Sequence, residues 1–456
     1  MKVNFFDQLN RLDKLLVLLI FPIPFILSLS IFVSDLFVSL GGIIFLFLIW
    51  DRENIKIINK LQKEIILFLV FFFIILTSLI LSDYKDYSFL ASFFYFRYFL
   101  LSMILFFLLI KYEFTLNIFY YIILSSFSLI IFDSIVQLIF DYNLLGYQKI
   151  GTNTETRSLE YLTSFFGSEK KLGSFLIRFL PLIISLIYIK NYKNNLLSVF
   201  FLILMGFVIF QTSERAALFL FGIFCLLIVL NSQKKILLSS FLVLFITILL
   251  ASDKPLRIKY IMVTLEQTKL IYILKNNENT LKILKKIGLE EIEDDPLLVD
   301  ITRYYSKEHE DLSMTGLEIF KRHLFFGSGI KSFYHECNNL KSKGFSIKNK
   351  RDNKLTCSTH PHNTYVQILS DIGIFGFLIV IFVLGYLIRN IFIIIRKKEQ
   401  DNLDISFLFI NIGLLLNIFP LIPSGSFFNN WISLIIFFNL GFLFFIKNKI
   451  QIRDNS

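Results

Sequence analysis

The sequence predicts an all-α polytopic membrane protein with about twelve transmembrane helices and one large, mostly helical loop domain on the outer side. Three observations predict it. Of the 456 residues 55% are apolar and the mean hydropathy is +0.68, well above what a soluble chain of this length carries. The apolar residues come in runs of about 20, the length that crosses a bilayer core. The net charge is +11, and the basic residues stand mostly at the ends of those runs, where lysine and arginine orient spans. That placement speaks against a nucleic-acid partner. The 56 phenylalanines accompany abundant Ile, Lys and Asn and read as background composition, not as an aromatic binding surface.

In order, spans are expected near 15–33, 36–50, 65–82, 89–110, 114–140, 173–189, 196–212, 216–230, 236–251, 363–388, 405–422 and 431–446. The first has a basic flank and no small-residue cleavage site, so it is expected to be retained. With the N-terminus inside, the cytoplasmic segments hold eighteen lysines and arginines, among them Arg52, Lys56, Arg396 and Lys397. The short outer segments hold six: Lys85, Lys149, Arg157, Lys170, Lys171 and Arg215. This bias predicts both termini in the cytoplasm. The chain then divides into a membrane domain over 1–251, an outer loop domain over 252–361, and a second membrane part over 362–456. The loop is too long to be a connector. Within it, Ile258 to Ile292 reads as a helix with lysine and glutamate on its polar side, and Tyr304 to Phe326 as a second ending at Gly327. The acidic stretch Glu290 to Asp295 before Pro296 reads as a solvated turn, with a cation site as the alternative. Gly327-Ser328-Gly329 is too short for a nucleotide fingerprint, and no repeat relates the two halves, which weakens a transporter reading.

Candidate chemistry lies between the loop and the next span, in HPHNTYVQILSDIGIFG, His360 to Gly376. Pro361 suits the first position of a helix, which would put His362 in the first turn and His360 at the cap. There the helix dipole favours a neutral imidazole and attracts an anion, so His362 is a candidate base beside an anion site. The alternative is that both histidines are polar caps at a membrane surface. At about 100° per residue, His362, Val366, Leu369, Gly373 and Gly376 share one stripe, the glycines allowing close helix contact. Zinc on His360 and His362 fails for want of further ligands at metal spacing, so neither metal nor cofactor is expected.

His362-Asn363, nine residues, Gly373, two residues and Gly376 is the pattern of bacterial O-antigen ligases and the related O-antigen polymerases, which this stretch resembles. FDSIVQLIFDYNLLG (Phe132 to Gly146), FFGSEKKLGSFLIRFLP (Phe165 to Pro181), QTSERAAL (Gln211 to Leu218) and IFKRHLFFGSGIKSF (Ile319 to Phe333) look like weaker signatures of the same family, in their usual order. The resemblance implies a membrane fold of the GT-C type and an inverting, metal-independent transfer of a glycan from a polyprenyl diphosphate, with His362 as base. It implies a bacterial inner-membrane protein with its site facing the periplasm. The partners are the lipid-linked donor, a lipid A-core or lipid-linked acceptor, and membrane lipids. The motif does not separate ligase from polymerase; ligase is the preferred reading, polymerase the second. A transporter or flippase is the third, and would call for charged, broken helices near the midplane in both halves.

Such a donor needs cations to hold its diphosphate, and arginine is the better fork. The candidates are Arg157, Lys170, Lys171, Arg178 and Arg215, joined by Arg303, Lys321 and Arg322 in the loop. Arg215 comes first, in QTSER at an outer turn, with pairing to Glu214 or snorkelling as the alternatives. Arg178 lies inside its span, where charge is a functional hypothesis by default. Lys170 and Lys171 can equally be a solvated rim. Asn363 and Tyr365 are at most positioning groups, and Asp371 is too far along the helix to reach substrate.

Cys225 falls within a span and reads as a small apolar residue. Cys337 and Cys357 both fall in the outer loop, an oxidising compartment, so a disulfide is expected, contributing about 3 kcal/mol and holding the approach to His360; two free thiols are the alternative. Arg97 and Asp133 lie at nearly one depth in consecutive spans, about 10 to 12 Å down, which predicts an ion pair completed by Gln137. The alternative places Arg97 at the donor diphosphate.

Overall fold

The computed structural model describes residues 9–154, 157–190, 196–232, 235–252, 307–345, 355–420 and 422–455, with Leu256 and Tyr260. The protein is an all-α polytopic membrane protein. Among the described residues seven helical stretches are long and apolar enough to cross a bilayer: Ile31–Leu48, Arg52–Leu81, Lys85–Lys111, Thr115–Phe140, Leu172–Lys190, Thr364–Ile395 and Asn430–Asn455. An eighth is the pair Arg11–Ile20 and Ile23–Leu29, bent by 46° beside Pro22 and Pro24. Four shorter apolar helices, Leu196–Gln211, Arg215–Asn231, Ile236–Leu249 and Asn402–Asn417, occupy the remaining expected positions; by length alone the described residues give seven or eight crossings. Among the described residues the sheet is one antiparallel hairpin, Ile150–Thr154 with Arg157–Tyr161, which the hydropathy pattern does not announce.

Leu172–Lys190 runs through the middle of the bundle, and nearly all its side chains are buried. It is tied to Asn402–Asn417 by a reciprocal pair: the Ser185 hydroxyl donates to the Ser406 carbonyl at 2.7 Å and Ser406 returns the bond at 2.8 Å. Small residues let the backbones close up there, since a Cβ on Gly413 would stand 3.1 Å from Pro181. Phenylalanines fill the wider gaps; Phe127 stacks on Phe175 at 5.4 Å and Phe68 on Phe99 at 4.1 Å.

The structure corrects the expected pair of Arg97 and Asp133. Arg97 forks onto Asp35, Nε to Oδ1 at 2.8 Å and Nη2 to Oδ2 at 3.0 Å, and Asn430 adds a third donor to that carboxylate at 3.2 Å. Asp133 instead accepts the Leu144 N–H at 2.8 Å, the Ser164 hydroxyl at 2.5 Å and the Asn143 amide at 3.2 Å. Gln137 works beside it, its carbonyl oxygen taking the N–H groups of Thr163 and Ser164. Position along a span sets depth but not the direction in which a side chain points. The helix is also broken at Phe94 and Tyr95, so Arg97 sits in the first turn of Phe96–Lys111 and turns toward Ile31–Leu48.

Of the loop segment, two helices are described, Lys307–Arg322 and Phe333–Ser342; the expected helix Ile258 to Ile292, the acidic stretch and Arg303 lie outside the described residues. Leu312, Ile319, Phe333, Leu340 and Leu355 form a small core around a disulfide between Cys337 and Cys357. The segment docks on the turn after Gln62–Leu81. There the Tyr84 hydroxyl donates to Glu336 at 2.8 Å, His323 flanks the same carboxylate at 3.6 Å, and His335 stacks on Tyr87 at 3.6 Å. These donors hold the Glu336 carboxyl down to about 2, with the His323 contact the largest cause.

Candidate active site

The helix carrying the histidine motif starts later than its proline suggests. Asn363 is the cap, its side-chain oxygen accepting the N–H groups of Tyr365 at 3.0 Å and Val366 at 3.1 Å. His362 therefore precedes the helix and is not in its first turn, and His360 is not the cap. The His362 backbone lies in the left-handed region, φ 53°, and its carbonyl accepts the Ser424 N–H at 2.8 Å.

The glycine stripe is also not a helix-packing face. Gly373 has φ 70° and ψ −167°, and breaks the helix. The stretch Leu324 to Gly329 crosses there. The N–H groups of Ser328 and Gly329 take the carbonyls of Ser370 (2.8 Å) and Asp371 (3.0 Å), and the Ile374 N–H takes that of Leu324 (2.9 Å). A Cβ on Gly373 would lie 2.3 Å from the Phe325 backbone, and one on Gly327 2.3 Å from that of Asp371. Only glycine fits at either crossing point, for φ and for space. Gly376 sits under the break, where a Cβ would meet the Ile372 side chain at 2.2 Å. Two of the stretches singled out in the sequence thus interlock through their backbones.

Three imidazoles gather above the break. The rings of His360 and His362 are 4.0 Å apart, and His309, from the first turn of Lys307–Arg322, stands 5.3 Å from His362 at 85°. Helix Lys307–Arg322 reaches the motif because Gly316 allows it; a Cβ there would meet Val366 at 2.5 Å and Pro361 at 3.2 Å. Burial lowers the pKa of His362, with His309 the next cause, against opposing pulls from the Ser424 carbonyl and Glu308. Burial and then His362 push His360 down to about 4. His309 is lowered by burial, with Arg215 adding to the shift and Glu308 opposing it. Both motif histidines are therefore neutral at neutral pH, as the position before a helix suggests, but the causes are desolvation and neighbouring imidazoles instead of the dipole.

Arg215 opens the helix Arg215–Asn231 and lies close enough to His309 to act on it. It does not compete for Glu214 in the way a neighbouring pair would, because that carboxylate takes the N–H groups of Gly173 and Ser174 and the Ser174 hydroxyl. Arg178 is buried, with Nη1 on the Asn417 carbonyl (3.1 Å) and side-chain oxygen (2.9 Å), while its Nε has no hydrogen-bond partner among the described residues. Arg322 is engaged with Glu318 and the Phe345 ring, and Lys171 with Glu169 and the Trp431 ring. Arg157 lies in the hairpin, its backbone opposite Thr154. Tyr365 donates its hydroxyl to the Ile418 carbonyl at 2.6 Å, and Asp371 is held by Gln367 and Ser370. The structure thus gathers His360, His362 and Asn363 with His309, brings the Arg215 charge within electrostatic range of His309, and gives Arg322 and Lys171 other partners.

His309 was not among the residues the sequence marked. A signal existed: His309, Leu312, Gly316 and Ile319 repeat at helical spacing on the face that packs inward, and a histidine on that face is out of place in a solvated helix. Among the described residues no group of three or more His, Cys, Asp or Glu is arranged to hold a metal ion.

Fold and site together define a polytopic membrane protein in which a loop helix brings a third histidine onto the histidine motif at one end of a membrane helix. Residues 200–381 match the family described as O-Antigen ligase (Wzy_C), which supports a place in the O-antigen ligase superfamily. The matched segment contains Arg215, His309, His362, Gly373 and the Leu324 to Gly329 crossing. No curated protein matches the chain.

Proposed function

We propose that this protein is an O-antigen ligase, transferring a glycan from a polyprenyl diphosphate onto lipid A-core at the outer face of the bacterial inner membrane. The family supports a membrane glycosyltransferase of ligase or polymerase type with lipid-linked glycan substrates. The observation that carries the mechanism is the cluster of neutral imidazoles at His362, His360 and His309, with Arg215 near enough to His309 for its charge to be felt there. In the reaction, His362 takes the proton of the acceptor hydroxyl as its oxygen bonds to the anomeric carbon. The carbon–oxygen bond to the diphosphate breaks on the opposite side, inverting the centre, and the departing polyprenyl diphosphate keeps the electron pair. Its charge needs cations and no proton, a role for Arg215 and Arg178, the latter buried with an Nε that has no hydrogen-bond partner among the described residues. Arg157 and Arg303 remain candidates for the same role; Arg322 and Lys171 would have to leave their present partners to join it. The excess of lysine and arginine in alternate connections supports a topology with both termini in the cytoplasm and this site in the periplasm.

The second reading is an O-antigen polymerase, which the same motif and family support. Deleting the gene and separating the lipopolysaccharide on a gel tests both. Core without O chain supports the ligase, core bearing a single repeat supports the polymerase, and an unchanged pattern together with a transport defect overturns both.

A further inference from the structure

We propose that His309 is a positioning residue of this site, whose imidazole fixes the orientation of the His362 ring from the loop helix. The inference rests on the reading of His362 as the base and deepens it. His362 is carried on irregular backbone before the helix cap, so nothing in its own element holds the ring. Among the described residues three groups face that ring: the Ser424 carbonyl, shared with His360 Nε2 at 3.3 Å; the His360 ring at 4.0 Å, carried on the same irregular backbone; and His309, perpendicular at 5.3 Å and the one ring that comes from a regular helix. His309 is itself rigidly placed. It lies seven residues, or two turns, before Gly316, hence on the same face, and Gly316 is where its helix touches Pro361 and Val366. The other end of that helix is locked by Ile319 in the core around the Cys337–Cys357 disulfide. The loop segment therefore reaches the base through the His309 ring, and a base held to within a fraction of an ångström is worth far more than one that wanders.

The electrostatic surroundings make the role separable from packing. Among the described residues, His309 is faced by Glu308 from its own helix, by Arg215 from Arg215–Asn231, which Tyr260 also faces, and by His362 and His360 from the motif. A neighbouring imidazole disfavours protonation of His362, so removing it lets His362 take up a proton at higher pH.

The test is a transfer assay on the purified full chain with lipid-linked donor, measuring rate against donor concentration and pH for the wild type, His309→Ala and His309→Gln, with His362→Ala as control. His309→Ala is expected to lower kcat about tenfold or more with little change in donor KM, and to move the acid limb of the profile to higher pH. His309→Gln, polar and of similar reach, is expected to recover part of kcat while the acid limb stays displaced. It carries the same test if the alanine variant does not accumulate. Unchanged kcat and profile overturn the proposal, and so does a raised donor KM at unchanged kcat, which would assign His309 to donor binding. Full activity of His362→Ala is a different failure, since it removes the base itself.

Discussion

Glu214 and Gly173 are locked together: the buried carboxylate accepts the Gly173 N–H at 2.7 Å, and a Cβ on Gly173 would stand 2.5 Å from Thr212 Oγ1. Glu214 thereby caps the N-terminus of the central helix Leu172–Lys190 from the turn that also presents Arg215. Gly173→Ala is expected to cost about 1–3 kcal/mol, because the turn must shift to admit the methyl group. Thermal unfolding in detergent measures it; an unchanged midpoint would show that the turn yields freely.

The crossing of the loop segment with the broken helix is less forgiving. At Gly373 a side chain is opposed both by φ 70° and by the Phe325 backbone, and backbone cannot rotate away as a side chain can. Gly373→Ala and Gly327→Ala are each expected to cost on the order of 3 kcal/mol, with a loss of monodisperse protein on size exclusion. Wild-type yield and midpoint for either variant would contradict the crossing.

The base predicts a pH dependence with a definite sign. Burial and His309 depress the pKa of His362, so its neutral form persists below the ordinary imidazole value of about 6.5 and is lost only as pH falls through the lower, folded-state value. Transfer is expected to be level from pH 7.5 down past 6.5 (about the free imidazole pKa) and to fall below that. His362→Ala is expected to abolish transfer while leaving insertion intact. An acid limb centred above pH 7 (about half a unit over free imidazole), or turnover by the alanine variant, would remove His362 from this role.

The disulfide predicts a stability loss confined to the loop. It closes a separation of 20 residues, so Cys337→Ser with Cys357→Ser is expected to cost about 3 kcal/mol. Differential hydrogen exchange over 307–345 reads this directly, and protection equal to wild type would mean that the apolar core suffices alone.

Arg97 and Asp35 predict a coupling that Arg97 and Asp133 lack. In a double-mutant cycle, Arg97→Ala with Asp35→Ala is expected to be non-additive by about 1–2 kcal/mol, whereas Arg97→Ala with Asp133→Ala adds. Equal coupling in both cycles would undo the corrected pairing.

What the sequence determined by itself is what depends on one-dimensional order. Apolar runs located the helices, because a bilayer demands about 20 apolar residues wherever they occur, but not all of their ends: Thr364–Ile395 and Asn430–Asn455 continue past the expected 388 and 446. The spacing of His362, Gly373 and Gly376 marked the motif. What only the tertiary structure decided depends on direction and on distant partners. Arg97 and Asp133 share a depth, yet hydropathy carries no azimuth, and Arg97 turned to Asp35. Pro361 signalled a helix start, but the Asn363 side chain two residues on satisfies the free N–H groups and won the cap. Gly373 looked like a packing glycine, and its positive φ exists only because backbone from residues 324–329 crosses there. His309 lies 53 positions from His362 in sequence and 5.3 Å from it in space, a proximity set by Gly316 and by how two helices meet, which no local pattern encodes.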